Sequence, residues 1–515
     1  MRSYHVGAEG LAAHKGSCEA ARGAEPTAES LASGVAWNLL SKLVALVLGA
    51  VLLSLLPRWL ASAGFGHYSL VVSAVSFFAL VADFGTGPSN ARHVALYSVR
   101  SPRDLASVVL SGAVLNVAVS ALVSLACFAF APMLVRFLRG PDAMVATLRV
   151  GALLILATSL KEFIAATFQG LRRMDLLSLT NTVGNVARVG LSLALVITGQ
   201  GVIGAVWGWT IGYGLACVVG GYLLFRELRG LPARLDRAFL AETLHYALPL
   251  GLIGLAFFAY TQADVLLVGK FLGTEQAGFY SIPVQLATWL SFPAAALGMT
   301  IAPTIATRFE SGLPVGDMFL KSTRYVLLLF LPVAATIMVL ARPIVLAVYG
   351  EGFLPVVAVL RIYMPFLVLF SLSSVFSQVL NFAGKATFRV WVLCSAAVVK
   401  VGVGVLFIAT LGIQGAAWIT LSTYAVVVGA YWVTLSRLCR VPARSFVTLL
   451  LRILLAAGAM ALLRGLLSGY AQGPIALLAV AAIGAGLFLG LAFAFKVITT
   501  AELAGLLGRF RMSSR

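Results

Sequence analysis

The chain has 515 residues, of which 61% are hydrophobic and only 11% charged, with a mean hydropathy of +1.00. Soluble domains carry about 25% charged residues, so this composition excludes a soluble protein and defines an integral membrane protein with room for many spans of about 20 residues. The formal net charge of +19 does not point to nucleic acid, because Lys and Arg are scattered singly through short loops instead of gathering on a polar domain.

In chain order, residues 1–33 are polar and lack any pattern that buries a core, which predicts a mobile cytoplasmic tail. The "ASA" at 61–63 imitates a signal-peptidase site, but the apolar run before it is too long and begins too late for a signal peptide. Apolar runs predict about fourteen spans, over 34–56, 66–86, 105–130, 144–169, 178–199, 201–225, 243–268, 276–302, 323–341, 353–381, 389–410, 413–436, 447–467 and 475–496. Lys and Arg concentrate in alternate connections, above all in "RELRGLPARLDR" and "LSRLCRVPARS". By the positive-inside bias both termini are cytoplasmic, in a multi-pass protein of the inner (cytoplasmic) membrane.

The sequence also repeats itself. Gly201-x-x-Gly204-Ala205-x-Trp207 returns as Gly412-x-x-Gly415-Ala416-x-Trp418, and Leu148-Arg149 as Leu360-Arg361. Arg188-Val189-Gly190 returns as Lys400-Val401-Gly402, and "AGFGHYS" (63–69) is echoed by "AGFYS" (277–281). The offset is about 212 residues, enough for six spans, and an even number makes the repeats parallel about an axis along the membrane normal. The predicted fold is therefore all-α. A six-helix bundle at 34–225, a cytoplasmic linker at 226–242 and a second bundle at 243–436 surround a central cavity. Two further helices and a basic tail follow at 437–515.

Charged groups at bilayer depth are costly, about 2.5–3.5 kcal/mol on insertion scales, and usually functional. Arg188 and Lys400 occupy equivalent mid-depth positions, one per bundle, and Arg149 and Arg361 form a second pair nearer the outer ends. Facing a wet cavity, these four, with Lys42 in the first span, predict an anion-binding site, the alternative for Arg149 and Arg361 being to snorkel to the outer interface. Asp264 and Glu162 are the acidic groups at depth and the candidates for ion coupling, the alternative for Asp264 being a helix-end residue solvated at the outer face. Lys161 precedes Glu162, but sequence neighbours point about 100° apart on a helix and need not pair. Catalysis is not expected. The five histidines are dispersed, no nucleophile sits at motif spacing from a base, and no phosphate-binding G-x-x-x-x-G-K-[ST] loop is present. The five cysteines show no metal or disulfide spacing, so neither a metal nor a cofactor is predicted.

"ADVLLVGKFLGTEQAGFYSIPVQLA" (263–287), "GFGHYSLVVSAVSFFALVADFGTG" (64–87) with Asp83-Phe84-Gly85, and "GKATFRVWVL…TLGIQGAAWITLS" (384–422) resemble the oligosaccharide/polysaccharide flippase family. That family belongs to the multidrug/oligosaccharidyl-lipid/polysaccharide (MOP) exporter superfamily, and the resemblance spans about residues 30–440. It implies alternating-access transfer of a polyprenyl-pyrophosphate-linked oligosaccharide to the outer leaflet for cell-surface polysaccharide synthesis, among membrane lipids, polysaccharide polymerase and glycosyltransferases. No close match to a dedicated peptidoglycan-precursor flippase is evident. One rival is a cation-coupled multidrug exporter of the same superfamily. A weaker one is an integral-membrane glycosyltransferase or polymerase, which would need a sizeable extramembrane loop.

Overall fold

The computed structural model describes residues 28–235, 237–311, 313–467 and 474–495. The tail expected at 1–33 falls outside them except for its last residues, where the first helix already begins at Ala28, and most of the basic C-terminal tail also lies outside.

Helix α1, Ala28–Asp83, runs for 56 residues. At 1.5 Å per residue that is about 84 Å, well over twice a hydrocarbon core of about 30 Å. The helix breaks at Ala61, whose φ of 55° and ψ of 178° are non-helical, so each arm is one span. Helix α2 (Thr86–Arg100) follows, then α3 (Leu105–Ala129), the short α4 (Ala131–Phe137), α5 (Ala143–Gly170), α6 (Met174–Leu195) and α7 (Gly201–Leu228). The second half repeats the plan with α8 (Arg237–Thr261), α9 (Ala263–Leu272), α10 (Thr274–Leu290), α11 (Phe292–Glu310), α12 (Gly316–Val339), the short α13 (Ala341–Val348), α14 (Val356–Phe382) and α15 (Ala386–Leu438). Helices α16 (Ala443–Leu467) and α17 (Pro474–Ala494) are appended, packing on each other and on α12.

Among the described residues ten helices are long and apolar enough to cross a membrane. Three of these stretches are double, broken at Ala61, at Gly199 and Gly201, and at Gly412. Tyr431 reaches the carbonyl of Arg389 across the Gly412 break, so α15 is an antiparallel hairpin. The pair α6–α7 is another. Ser192 Oγ donates to the Ala205 carbonyl, and Gly208 and Gly212 lie directly on the backbones of Ser192 and Arg188. A stripe of Gly204, Gly208, Gly212, Ala216 and Gly220 lets these helices touch, the small-residue solution to packing without a hydrophobic driving force.

Several features differ from the sequence-based expectation. Residues 86–100 are helical rather than a loop, and the predicted seventh span is cut at Gln262. The short helices α4 and α13 had no prediction. They occupy corresponding places in the two halves.

The halves meet on the repeat axis. Gly66 and Gly278 cross in direct contact, and Ser69 Oγ lies 2.8 Å from Ser281 Oγ, one full repeat of 212 residues away. Residues related by a two-fold operation can touch their counterparts only beside the axis. The α1–α10 crossing therefore marks that axis. Nearby, Ser62 hydrogen-bonds Glu275, and Arg58 donates to the Ala347 carbonyl. At the opposite end, which carries most of the Arg-rich loops, Gly85 (φ 81°) packs on the Ala247 carbonyl, and His93 Nε2 lies 3.5 Å from Glu242. The two halves thus touch at both ends.

Candidate functional site: two cation clusters

The equivalent residues Arg188 and Lys400 are both held inside their own bundles, but in different electrostatic settings. Lys400, 1% exposed, donates to Asp264 Oδ2 and to the Tyr260 carbonyl, each at 2.7 Å. Asp264 Oδ2 also accepts from Thr420 Oγ1 at 2.6 Å and Tyr280 OH at 3.0 Å. Tyr260 stacks on Tyr424 with ring centroids 4.1 Å apart beside the ammonium. The break at Gln262 starts α9 at Ala263 and brings its first-turn Asp264 against α15.

Arg188 has no such acid among the described residues. Counting back one repeat from Asp264 gives Leu52, an apolar core residue. Instead its guanidinium lies over the Trp209 ring at 4.7 Å, and Trp209 touches Tyr68 and Tyr213 at centroid distances of 6.5 and 5.9 Å. Arg188 Nε and Trp209 Nε1 are both buried donors without an acceptor among the described residues. A cation–π contact contributes roughly 0.5–2 kcal/mol, less than the roughly 2.5–3.5 kcal/mol that a mid-depth arginine costs. Arg188 is half-buried, the Trp209 face alone does not offset that depth, and the two N–H groups are left without an acceptor among the described residues.

Gly212 positions this arginine. A Cβ there would fall 2.4 Å from the backbone nitrogen of Arg188. Gly212→Leu is expected to force α6 and α7 apart and to cost at least the overpacking penalty of about 1–3 kcal/mol. A thermal melt in detergent checks this, and an unchanged midpoint would refute the tight crossing.

The other predicted site residues are dispersed. Lys161 is buried and pairs with Glu162 at 2.7 Å, although neighbours on a helix point apart, because both side chains are long enough to reach round it. Its ammonium also lies 5.0 Å from the Tyr213 ring, so the N-terminal half holds two cations close together. Arg149 is exposed and lies against Phe128 at 5.3 Å, and Arg361 is exposed. Lys42 lies over the Phe292 ring of α11 at 5.0 Å, between the halves. The expectation of free cations facing one another across a single chamber needs correction. Lys400 is neutralised by Asp264 inside its bundle, Asp264 is a buried partner and not a solvated helix end, and no described contact joins Arg188 to Lys400.

A cavity of about 720 Å³ opens in the N-terminal half between α1, α2, α5 and α6, toward the Arg-rich end. Asp83 and Glu162 line it with Gln169, Asn181 and Thr158, and no Lys or Arg does. An apolar cavity of about 390 Å³ lies between α12, α14 and α16, lined by Leu331, Met338, Pro365, Leu369 and Leu454. Trp209, Tyr68 and Tyr280 carried no sequence signal of their own. The repeat offset does relate Tyr68 to Tyr280, and Tyr213 to Tyr424, so it marks both clusters. Among the described residues no three His, Cys, Asp or Glu side chains gather as a metal site.

Two structurally repeated helical bundles about a common axis define an all-α, multi-pass membrane fold. The chain belongs to the polysaccharide biosynthesis protein family, whose model matches residues 31–309. The fold is similar to a lipid II flippase MurJ in an inward closed conformation, with TM-score 0.74, 14% identity, and 90% of this chain and 98% of that one covered. It is also similar to an inward-facing multidrug resistance MATE family transporter of the MOP superfamily, with TM-score 0.63, 16% identity, and 78% and 100% covered. The eukaryotic MATE transporter AtDTX14 aligns with TM-score 0.55, 16% identity, and 80% and 96% covered. At such identities the likeness shows the fold alone. No curated protein matches by sequence.

Proposed function

We propose that the protein is a flippase that carries a polyprenyl-pyrophosphate-linked oligosaccharide from the cytoplasmic to the outer leaflet, with both termini and the Arg-rich end in the cytoplasm, and that it catalyses no chemical step. The observation that carries the reading is the pair of buried donors, Arg188 Nε and Trp209 Nε1, without an acceptor among the described residues. A phosphate oxygen supplies one, and Arg forms charge-assisted, bidentate contacts with phosphate. The apolar cavity against α16 suits the prenyl tail, as its walls are aliphatic. Polymerase and glycosyltransferases act before and after this step as separate proteins.

The direct test is translocation in proteoliposomes of a fluorescent polyprenyl-pyrophosphate glycan, read by accessibility to an impermeant quencher. Absence of protein-dependent movement overturns the proposal. Opening on the outer side requires the α1–α10 seam to part. Ser69→Cys with Ser281→Cys is therefore expected to cross-link on oxidation and stop translocation, with recovery on reduction. Full transport by the cross-linked protein would place the moving seam elsewhere.

One observation favours a second reading. The acid-lined cavity at Asp83 and Glu162 suits a cationic drug, and efflux of an organic cation from the same vesicles, without glycan movement, would select that function.

A further inference from the structure

We infer that the cavity between α1, α2, α5 and α6 is the binding site for the sugar part of the cargo, that it takes neutral or amino-bearing sugars, and that it rejects acidic ones. This rests on the flippase reading and adds to it the class of glycan.

The cavity's volume of about 720 Å³ lies within the roughly 300–1,000 Å³ of small-molecule sites. Its polar wall includes Asp83, Glu162, Gln169, Asn181, Ser76 and Thr158. Carboxylates and primary amides present two polar atoms side by side and so bracket adjacent hydroxyls, and the amides both donate and accept. Ala79, Leu80, Ala165 and Ala166 supply apolar surface between them, which matches the carbon-bearing faces of sugar rings.

The wall is also held in place. Asp83 Oδ1 accepts from Thr86 Oγ1 at 3.1 Å and from the Gly87 N–H at 3.0 Å. Buried Asn116 ties Thr86 to Ser159, itself a wall residue, at 3.1 and 3.0 Å. Glu162 gives Oε1 to Lys161, yet its side chain remains 54% exposed.

Charge decides the class of sugar. Glu162 is matched by Lys161 behind the wall. Asp83 accepts only from neutral donors, and no Lys or Arg lines the space. A uronic or other acidic sugar would therefore meet an unmatched carboxylate in a partly desolvated wall. An ammonium would be attracted, and a neutral sugar is indifferent to the charge. Position links the cavity to the anion site. Asn181 and Arg188 are seven residues apart on α6, two turns along one face, or about 10 Å. A pyrophosphate on Arg188 therefore leaves its sugars on the side of this cavity.

The test uses the full chain in detergent and three soluble probes, read by calorimetry: chitotetraose, its de-N-acetylated cationic form, and tetragalacturonate. The first two are expected to bind, and tetragalacturonate at least about tenfold more weakly, as expected for like charges at a few ångströms in such a setting. Asp83→Asn is expected to bring the three within about threefold of one another. The asparagine keeps an acceptor for the Gly87 N–H, so a thermal melt of the variant should be unchanged and the loss of discrimination is then read on a folded protein. Equal binding of the acidic probe, no saturable binding of any sugar, or a response to NaCl alone would overturn the inference. Sugar-free polyprenyl pyrophosphate separates this from the parent reading. Its binding should survive Asp83→Asn, and its failure to bind the unaltered chain would refute the flippase reading instead.

Discussion

Arg188→Ala is expected to lose binding of polyprenyl pyrophosphate and nearly all translocation while the protein inserts and melts normally. A hydrogen bond to a charged group contributes about 1.5–3 kcal/mol, so affinity should fall by roughly 10- to 100-fold for each hydrogen bond to phosphate that disappears. The fold should tolerate the change because Arg188 holds no ion pair among the described residues, and its removal leaves no carboxylate unmatched. Arg188→Lys should be intermediate, since a lysine keeps the charge but not the planar fork that stacks on Trp209. Calorimetry with sugar-free polyprenyl pyrophosphate, together with the proteoliposome assay, checks this series. Unchanged export by Arg188→Ala would remove the anion site from this position.

The equivalent change in the other half should behave in the opposite way. Lys400→Ala leaves the carboxylate of Asp264 buried with only the Thr420 and Tyr280 hydroxyls for company. Breaking a buried pair from one side typically costs about 3–5 kcal/mol. The expected result is a large fall in melting temperature or in folded yield, not a selective loss of cargo binding. Lys400→Met combined with Asp264→Leu should recover much of the stability, because replacing both partners with apolar groups leaves no charge stranded. A stable Lys400→Ala protein that no longer binds pyrophosphate would show that Lys400 serves the cargo after all. The paired experiments separate a cation kept for a ligand from one kept for its neighbour.

Much of the fold was legible because a bilayer imposes long apolar runs, and because two halves of one chain repeat glycines, aromatics and cations at one offset. The short helices α4 and α13, seven and eight residues long, span about two turns each and are too brief for periodicity to register. Helix α2 went unseen because its mean hydropathy does not stand out from a polar loop. At the site, the depth of Arg188 and Lys400 could be read along the chain, but the direction of each side chain could not. Asp264 lies far from Lys400 in sequence and at a helix start, where an acid is ordinarily solvated. Only the break at Gln262 and the packing of α9 on α15 turn it into a counter-ion. The Trp209 platform was hidden for a related reason, since nothing local distinguishes a tryptophan beneath an arginine from one facing lipid.

The Ser69–Ser281 hydroxyl pair carries a historical implication. Had the two halves once been identical separate chains, each serine would have met its own copy at this spot, so the side chain there had to tolerate its double. A hydroxyl qualifies, since it both gives and receives a proton, whereas a carboxylate or an ammonium would have repelled its double. Within one chain the halves are free to differ away from the seam, and the acid that accompanies Lys400 but not Arg188 is such a difference.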